Sequence, residues 1–172
     1  MNLGLDFPDL PYFIDADDGV KITESMAVPR YICAKWGPEL LGKTIEEKAR
    51  VEQYISLIFY QWKDCNDTVA DKEHFEAKSG ALMKKVESFL TKLDKELDEH
   101  PFIGGEKVCI CDFILYEYLE LAYLIHPGAK SSFKNLANMR SKFEQLPGVK
   151  EYHASSKFNP KLYPPGLTAV NT

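Results

Sequence analysis

Long apolar runs, basic charge and paired cysteines are all scarce in this chain of 172 residues. No uninterrupted apolar run approaches the roughly 18 residues that span a bilayer. The nearest, Val108 to Ile125, is broken by Asp112, Glu117 and Glu120. The first residues carry neither a basic stretch nor an apolar core behind one, so no secretory signal is expected. Lys and Arg number 21 against 26 Asp and Glu, a net charge of −5. That balance argues against nucleic acid as a partner, because phosphate binding needs a basic footprint. The four cysteines fall into no disulfide framework, which fits a reducing compartment and points to the cytoplasm. His74, His100, His126 and His153 stand apart without ligand spacing, so no metal site is expected, and no internal repeat is visible.

What is present is ordinary globular material, 45% hydrophobic and 27% charged, enough for one domain-sized core, or for one helical domain with a small appendage. From residue 44 the pattern is helical almost to the end. Thr44-Ile45-Glu46-Glu47 is a capping box: Thr44 receives the N3 amide and Glu47 reaches back. The helix it opens carries Val51, Tyr54, Ile55, Ile58 and Trp62 at spacings of three and four and is expected to fade near Asn66-Asp67. A second helix, about 71 to 98, has its apolar stripe at Met83, Val86, Phe89, Leu90, Leu93 and Leu97, opposite a lysine-rich face. A third, Ile110 to Ile125, is apolar nearly all round, the pattern of a buried central helix. A fourth is expected from about Ser132 to Leu146 and a short fifth from Val149 to Ser155. The tail from Asn159, with Pro160, Pro164, Pro165 and Gly166, reads as extended or loosely ordered.

Ahead of this lies a different pattern. Tyr12-Phe13-Ile14 and Val20-Lys21-Ile22 are short strand-like runs, joined by the turn residues Asp17-Asp18-Gly19. Pro11 heads the first strand, where a missing N–H costs least. A helix opening on Glu24-Ser25 follows, and Gly37 to Lys43 reads as a linker.

The ordered set Leu10-Pro11, hairpin, Glu24-Ser25 and helix resembles the second half of the thioredoxin-like domain of glutathione transferases. Leu3-Gly4-Leu5-Asp6-Phe7-Pro8 is similar to the mu class in particular. Phe102 to Val108, followed by Asp112-Phe113, is similar to the family's FAGDKVTYVDF segment. There a hydroxyl residue caps the central helix and an aspartate answers it three positions on. Here the cap position is Cys109, a poor acceptor, while Asp112 remains. Asn135-Leu136 and Phe143 to Leu146 match the family's next helix. The resemblance covers residues 3 to about 165. It implies a mainly α fold: a glutathione-transferase-type all-helical C-terminal domain preceded by a truncated thioredoxin-like domain of two strands and one helix. The expected division is 1–36, a linker at 37–43, the helical domain at 44–158 and the tail at 159–172.

The same resemblance implies a ligand, glutathione, and no metal. Leu10's backbone N–H and C=O, turned outward by a cis Leu10-Pro11 bond, would pair with the cysteinyl part of glutathione as an added strand. A trans proline starting an edge strand is the bland alternative. At Glu24-Ser25 the open N–H groups of a helix start suit a carboxylate, Ser25 adds a hydroxyl, and Glu24 would hold the neighbouring ammonium. Both residues also read simply as caps. Pro29 removes a hydrogen bond near this helix start. Asp9, where the mu pattern has asparagine, puts an extra negative charge beside an anionic ligand. Phe7 reads as a dimer anchor inserting into another subunit, or as a residue filling its own domain's crevice. Cys109-Ile110-Cys111 reads as a core pair, or as a weak redox or metal signal.

The family's thiol-activating tyrosine belongs to a strand–helix–strand that would precede Met1. The mu class's partner-subunit aspartate falls on Tyr60 and its helper tyrosine near Ala70. No catalytic residue is therefore assigned. A free thiol's reference pKa of about 8.5 requires a donor to stabilise the thiolate, and the chain alone is expected to be inactive. Two readings stand: a glutathione transferase-like protein that conjugates glutathione to electrophiles if the missing segment is supplied, or a non-catalytic scaffold or subunit of the same fold. In either, a homodimer or a larger assembly is expected to cover the open sheet edge.

Overall fold

The hairpin forms where its residues demand it. In a computed structural model, which describes residues 3–163 and 168–170, β1 (Tyr12–Asp15) pairs antiparallel with β2 (Val20–Thr23). The register sets Tyr12 opposite Thr23 and Asp15 opposite Val20. Gly19, at φ 68°, supplies the left-handed position of the turn. Asp15 closes that turn by accepting the Asp17 and Asp18 amides at 3.2 and 3.4 Å.

Helix α1 (Ala27–Trp36) packs against β2. Its regular turns begin at Ala27 rather than at Glu24-Ser25. The Glu24 carbonyl nevertheless takes the Ala27 and Val28 amides, both at 3.1 Å, so the hydrogen-bond ladder starts from Glu24. Pro29 has no N–H to offer the Ser25 carbonyl four residues back, which loosens this first turn. Residues 37–43 contain a 3₁₀ turn at Pro38–Leu41.

The rest is a helical bundle: α2 (Ile45–Ala70), α3 (Phe75–Glu96), α4 (Ile110–Ile125), α5 (Ala129–Ser132), α6 (Lys134–Glu144) and α7 (Val149–His153). The capping box at Thr44 is formed, with Thr44 Oγ1 accepting the Glu47 amide and Glu47 Oε2 accepting the Thr44 amide, both at 3.2 Å. Helix α2 does not fade at Asn66-Asp67. Cys65 and Val69 prolong its buried stripe, and Asn66 and Thr68 donate back to the carbonyls of Trp62 and Asp64 instead of competing for a cap. The stretch expected as one helix from Ser132 is two, α5 and α6, separated at Phe133, whose backbone is extended.

Helix α4 is the centre. It packs against α1, α2, α3, α5 and α6, and Leu115, Tyr118, Leu119, Leu121 and Ala122 are fully buried. Each buried leucine of this kind stabilises the fold by about 1.5–3 kcal/mol. The start of α4 is held by Asp112, which accepts the amides of Ile103 and Cys109, both at 2.8 Å. Burial pushes its carboxyl up to about 6, against the lowering effect of those amide bonds. Gly104 is required beside it: a Cβ there would meet Cys109 Cβ at 2.7 Å.

The tail is less loose than its prolines suggest. The Tyr163 hydroxyl donates to Asn66 on α2, and the Ala169 amide donates to the Val69 carbonyl at 2.8 Å. Pro164, Pro165 and Gly166 lie outside the described residues. No helix among the described residues is long and apolar enough to cross a membrane.

Candidate functional site

The hairpin register has a geometric consequence. Tyr12 stands opposite Thr23 at the end of the ladder, so Leu10-Pro11 and Glu24-Ser25 adjoin the hairpin at the same end. The acidic turn is at the far end. The five residues expected at a ligand, Asp9, Leu10, Pro11, Glu24 and Ser25, therefore lie towards one end of the hairpin, next to the start of α1. The Leu10-Pro11 bond is cis. Leu10 is 79% exposed; Asp9, Pro11 and Glu24 are exposed and Ser25 is half-buried. Glu24 sits at φ 81°, a region that residues with a Cβ rarely adopt.

Helix starts elsewhere in the chain are closed by carboxylates. Glu47 serves α2, Asp71 accepts the His74 amide at α3, Asp112 serves α4, and Asp94 accepts the Leu136 amide at α6. Among the described helices of ten residues or more, α1 is the exception. Its first turn has no acidic residue and no side-chain cap. The Ala27 and Val28 amides are taken by the Glu24 carbonyl and Pro29 has none, so the donors left for an anion from outside are the Ser25 and Met26 amides just ahead of the helix.

One group works against such an anion. The Leu10 amide donates to Asp9 Oδ1 at 2.8 Å, so the donor expected to meet a peptide ligand is engaged by its own neighbour. Phe7 is 82% exposed; it fills no crevice of its own chain.

The locks that hold this end in place escape sequence reading. Asp15 is buried, and Lys35 and the Tyr31 hydroxyl converge on it, the latter at 2.8 Å. They hold its carboxyl below the usual carboxylate range, Lys35 contributing most. Phe13, Tyr31 and Trp36 form an aromatic cluster with centroids 6.0–6.2 Å apart. Arg30 joins α1 to α2 through a bidentate pair with Glu52 at 2.8 and 2.6 Å. An Asp and a Lys twenty residues apart carry no local signal. The only hint was the helical spacing of Tyr31 and Lys35.

Catalytic chemistry of other kinds finds little support. Cys33, Cys65, Cys109 and Cys111 are free and buried. Burial pushes the thiols up, Cys65 to about 12 and Cys109 to about 11, so neither is a ready nucleophile. Cys109 and Cys111 lie in the core. Among the described residues no group of three or more His, Cys, Asp or Glu is placed to hold a metal ion.

Residues 58–156 match the family model described as glutathione S-transferase, C-terminal domain. The chain belongs to the glutathione S-transferase family. It is 34% identical over 156 residues to the class-mu 26 kDa isozyme 1 of Fasciola hepatica, spanning 91% of this chain and 68% of that protein. It is 35% identical over 162 residues to glutathione S-transferase Mu 1 of Macaca fascicularis, spanning 92% and 71%. Among solved structures, that of the glutathione S-transferase Blo t 8 superposes with a TM-score of 0.82 at 26% identity, covering 99% of this chain and 79% of that one. The protein is thus a mu-class-related, glutathione transferase-like chain: a helical domain of the transferase type, preceded by two strands and one helix of a thioredoxin-like unit.

Proposed function

We propose that this chain binds glutathione at the Leu10-Pro11 and Glu24-Ser25 end of its hairpin, and that it does not by itself activate the thiol. The observation that carries this is the start of α1, with no acidic residue in its first turn, no side-chain cap and Ser25 beside it. The γ-glutamyl carboxylate sits on the Ser25 and Met26 amides and the Ser25 hydroxyl, the ammonium on Glu24, and the cysteinyl backbone along Leu10. Asp9 opposes the ligand by holding the Leu10 amide and by its charge, so binding is weak. The hydroxyls of Tyr31, Tyr54 and Tyr116 are spent on Asp15, Glu96 and Glu144, which leaves them unfit to support a thiolate. Conjugation to electrophiles then depends on a donor supplied from outside these residues.

Calorimetric titration with glutathione tests the site. The chain is expected to bind, and Ser25→Ala to weaken binding roughly tenfold, the worth of one hydrogen bond to a charged group. Absence of binding at millimolar glutathione overturns the site. Conjugation of an aryl halide well above the uncatalysed rate overturns the claim that thiol activation is lacking.

A partner belongs to the same reading. Phe7 and Leu10 stand out in solvent, with Trp36 58% and Tyr12 43% exposed behind them, and β1 pairs on one side only among the described residues. A second copy anchored by Phe7, or a larger assembly, covers this surface, as the scaffold reading also requires. The four free thiols support a place in the cytoplasm.

A further inference from the structure

A cleft of about 710 Å³ opens between α4, α6, α7 and residues 158–163, a size that suits a small organic ligand. None of Leu10, Pro11, Glu24 or Ser25 lines it. Its wall is a run of rings. Tyr116 stacks on Phe143 with centroids 4.8 Å apart and 22° between planes, His153 lies 5.7 Å from Tyr116, and Phe158 lies 4.4 Å from His153.

The charges lining the cleft are unevenly paired. Arg140 reaches Glu120 at 2.7 Å and Glu144 at 3.2 Å, with its guanidinium 5.4 Å from the Tyr116 ring centre. One cation is therefore shared by two carboxylates. The Glu117 side chain, exposed on α4 at the mouth, has no hydrogen bond or ion pair among the described residues. The surrounding protein, and then Glu120, push its carboxyl up, which His153 partly offsets. Lys130 and Lys161 also line the cleft, but both are exposed and neither pairs with any of the three carboxylates. Arg140 is thus committed to Glu120 and Glu144, while Glu117, exposed like the two lysines, is left as a carboxylate free to receive a cation.

We propose that this cleft binds a planar organic cation, its rings against Tyr116, His153 and Phe158 and its charge on Glu117. Aromatic faces attract cations when water is displaced, and an anion of the same shape meets Glu117, Glu120 and Glu144 instead. The site is independent of glutathione binding.

Fluorescence titration of the full chain with ethidium, a planar cation, and with anilinonaphthalene sulfonate, an anion of comparable size, tests the proposal. Ethidium is expected to saturate at one per chain, more tightly than the sulfonate and undisturbed by millimolar glutathione. Glu117→Gln is expected to weaken it about tenfold, the loss of one charge-assisted contact, and Phe158→Ala to weaken it as well. Lys161→Ala should not weaken it. Non-saturable binding, tighter binding of the sulfonate, displacement by glutathione, or unchanged affinity in Glu117→Gln each overturns the assignment.

Discussion

Asp112→Ala will destabilise the protein, and by more at pH 5 than at pH 7. The carboxylate is buried and receives the Ile103 and Cys109 amides, both at 2.8 Å. Its loss strands two buried donors, each at a cost of about 1–3 kcal/mol. Against this stands the penalty of burying a charge. The folded carboxyl titrates at about 6, above the ordinary 3.8. Because the folded value is raised, the unfolded chain gives up this proton first as pH rises from 4. Stability from this group is present at low pH and declines through the window between the two values. At pH 7 nearly the whole penalty is felt, about 3 kcal/mol from a shift of about two units. At pH 5 roughly half of it remains. Alanine removes the penalty along with the bonds, so the destabilisation is expected to be about 1 kcal/mol larger at pH 5 than at pH 7. Urea unfolding of both proteins, followed by far-UV circular dichroism at the two pH values, gives the difference directly and cancels the titration of all other groups. A destabilisation equal at both values, or larger at pH 7, refutes the view that burial outweighs the amide bonds at this carboxylate.

Three other outcomes follow from the same geometry. Leu119, fully buried on α4, is expected to cost about 2–5 kcal/mol as alanine; a loss under roughly 0.5 kcal/mol in urea unfolding would remove α4 from the centre of the core. Asp9→Asn takes a negative charge from beside the ligand and weakens the hold on the Leu10 amide, so glutathione should bind about fivefold more tightly at low salt, with a smaller gain at 1 M salt. Phe7→Ser should shift the protein toward monomer in light scattering at micromolar concentration while leaving its circular dichroism unchanged; a wild-type chain that is already monomeric sinks the anchor reading.

The parts legible in the sequence are those that repeat at a short period. The stripe Val51, Tyr54, Ile55 and Ile58 and the all-apolar run of α4 announce buried helix faces because every third or fourth residue reports the same thing. The capping box at Thr44 and Glu47 is equally local. Errors fell where a local signal met a tertiary partner. Asn66 and Asp67 look like a helix end, yet α2 passes through them because Cys65 and Val69 are needed in the core and the tail docks there through Tyr163. The prolines of the tail likewise say nothing of the amide of Ala169, which finds the Val69 carbonyl.

The candidate site divides along the same line. Leu10-Pro11 and Glu24-Ser25 are recognisable as short motifs, and the hairpin register alone brings them to one end. The anion-ready character of α1 is a different kind of property. It depends on what the helix start lacks, and it becomes visible only when the starts of α2, α3, α4 and α6 are seen to be filled by Glu47, Asp71, Asp112 and Asp94. Asp94 serves a helix forty-two residues away, so no window of sequence shows that its place is taken while the place at α1 is not. The Asp15–Lys35 and Arg30–Glu52 locks are long-range in the same sense. Sequence pattern can therefore propose which residues meet a ligand, while the preference for an anion comes from charges already spent elsewhere in the fold.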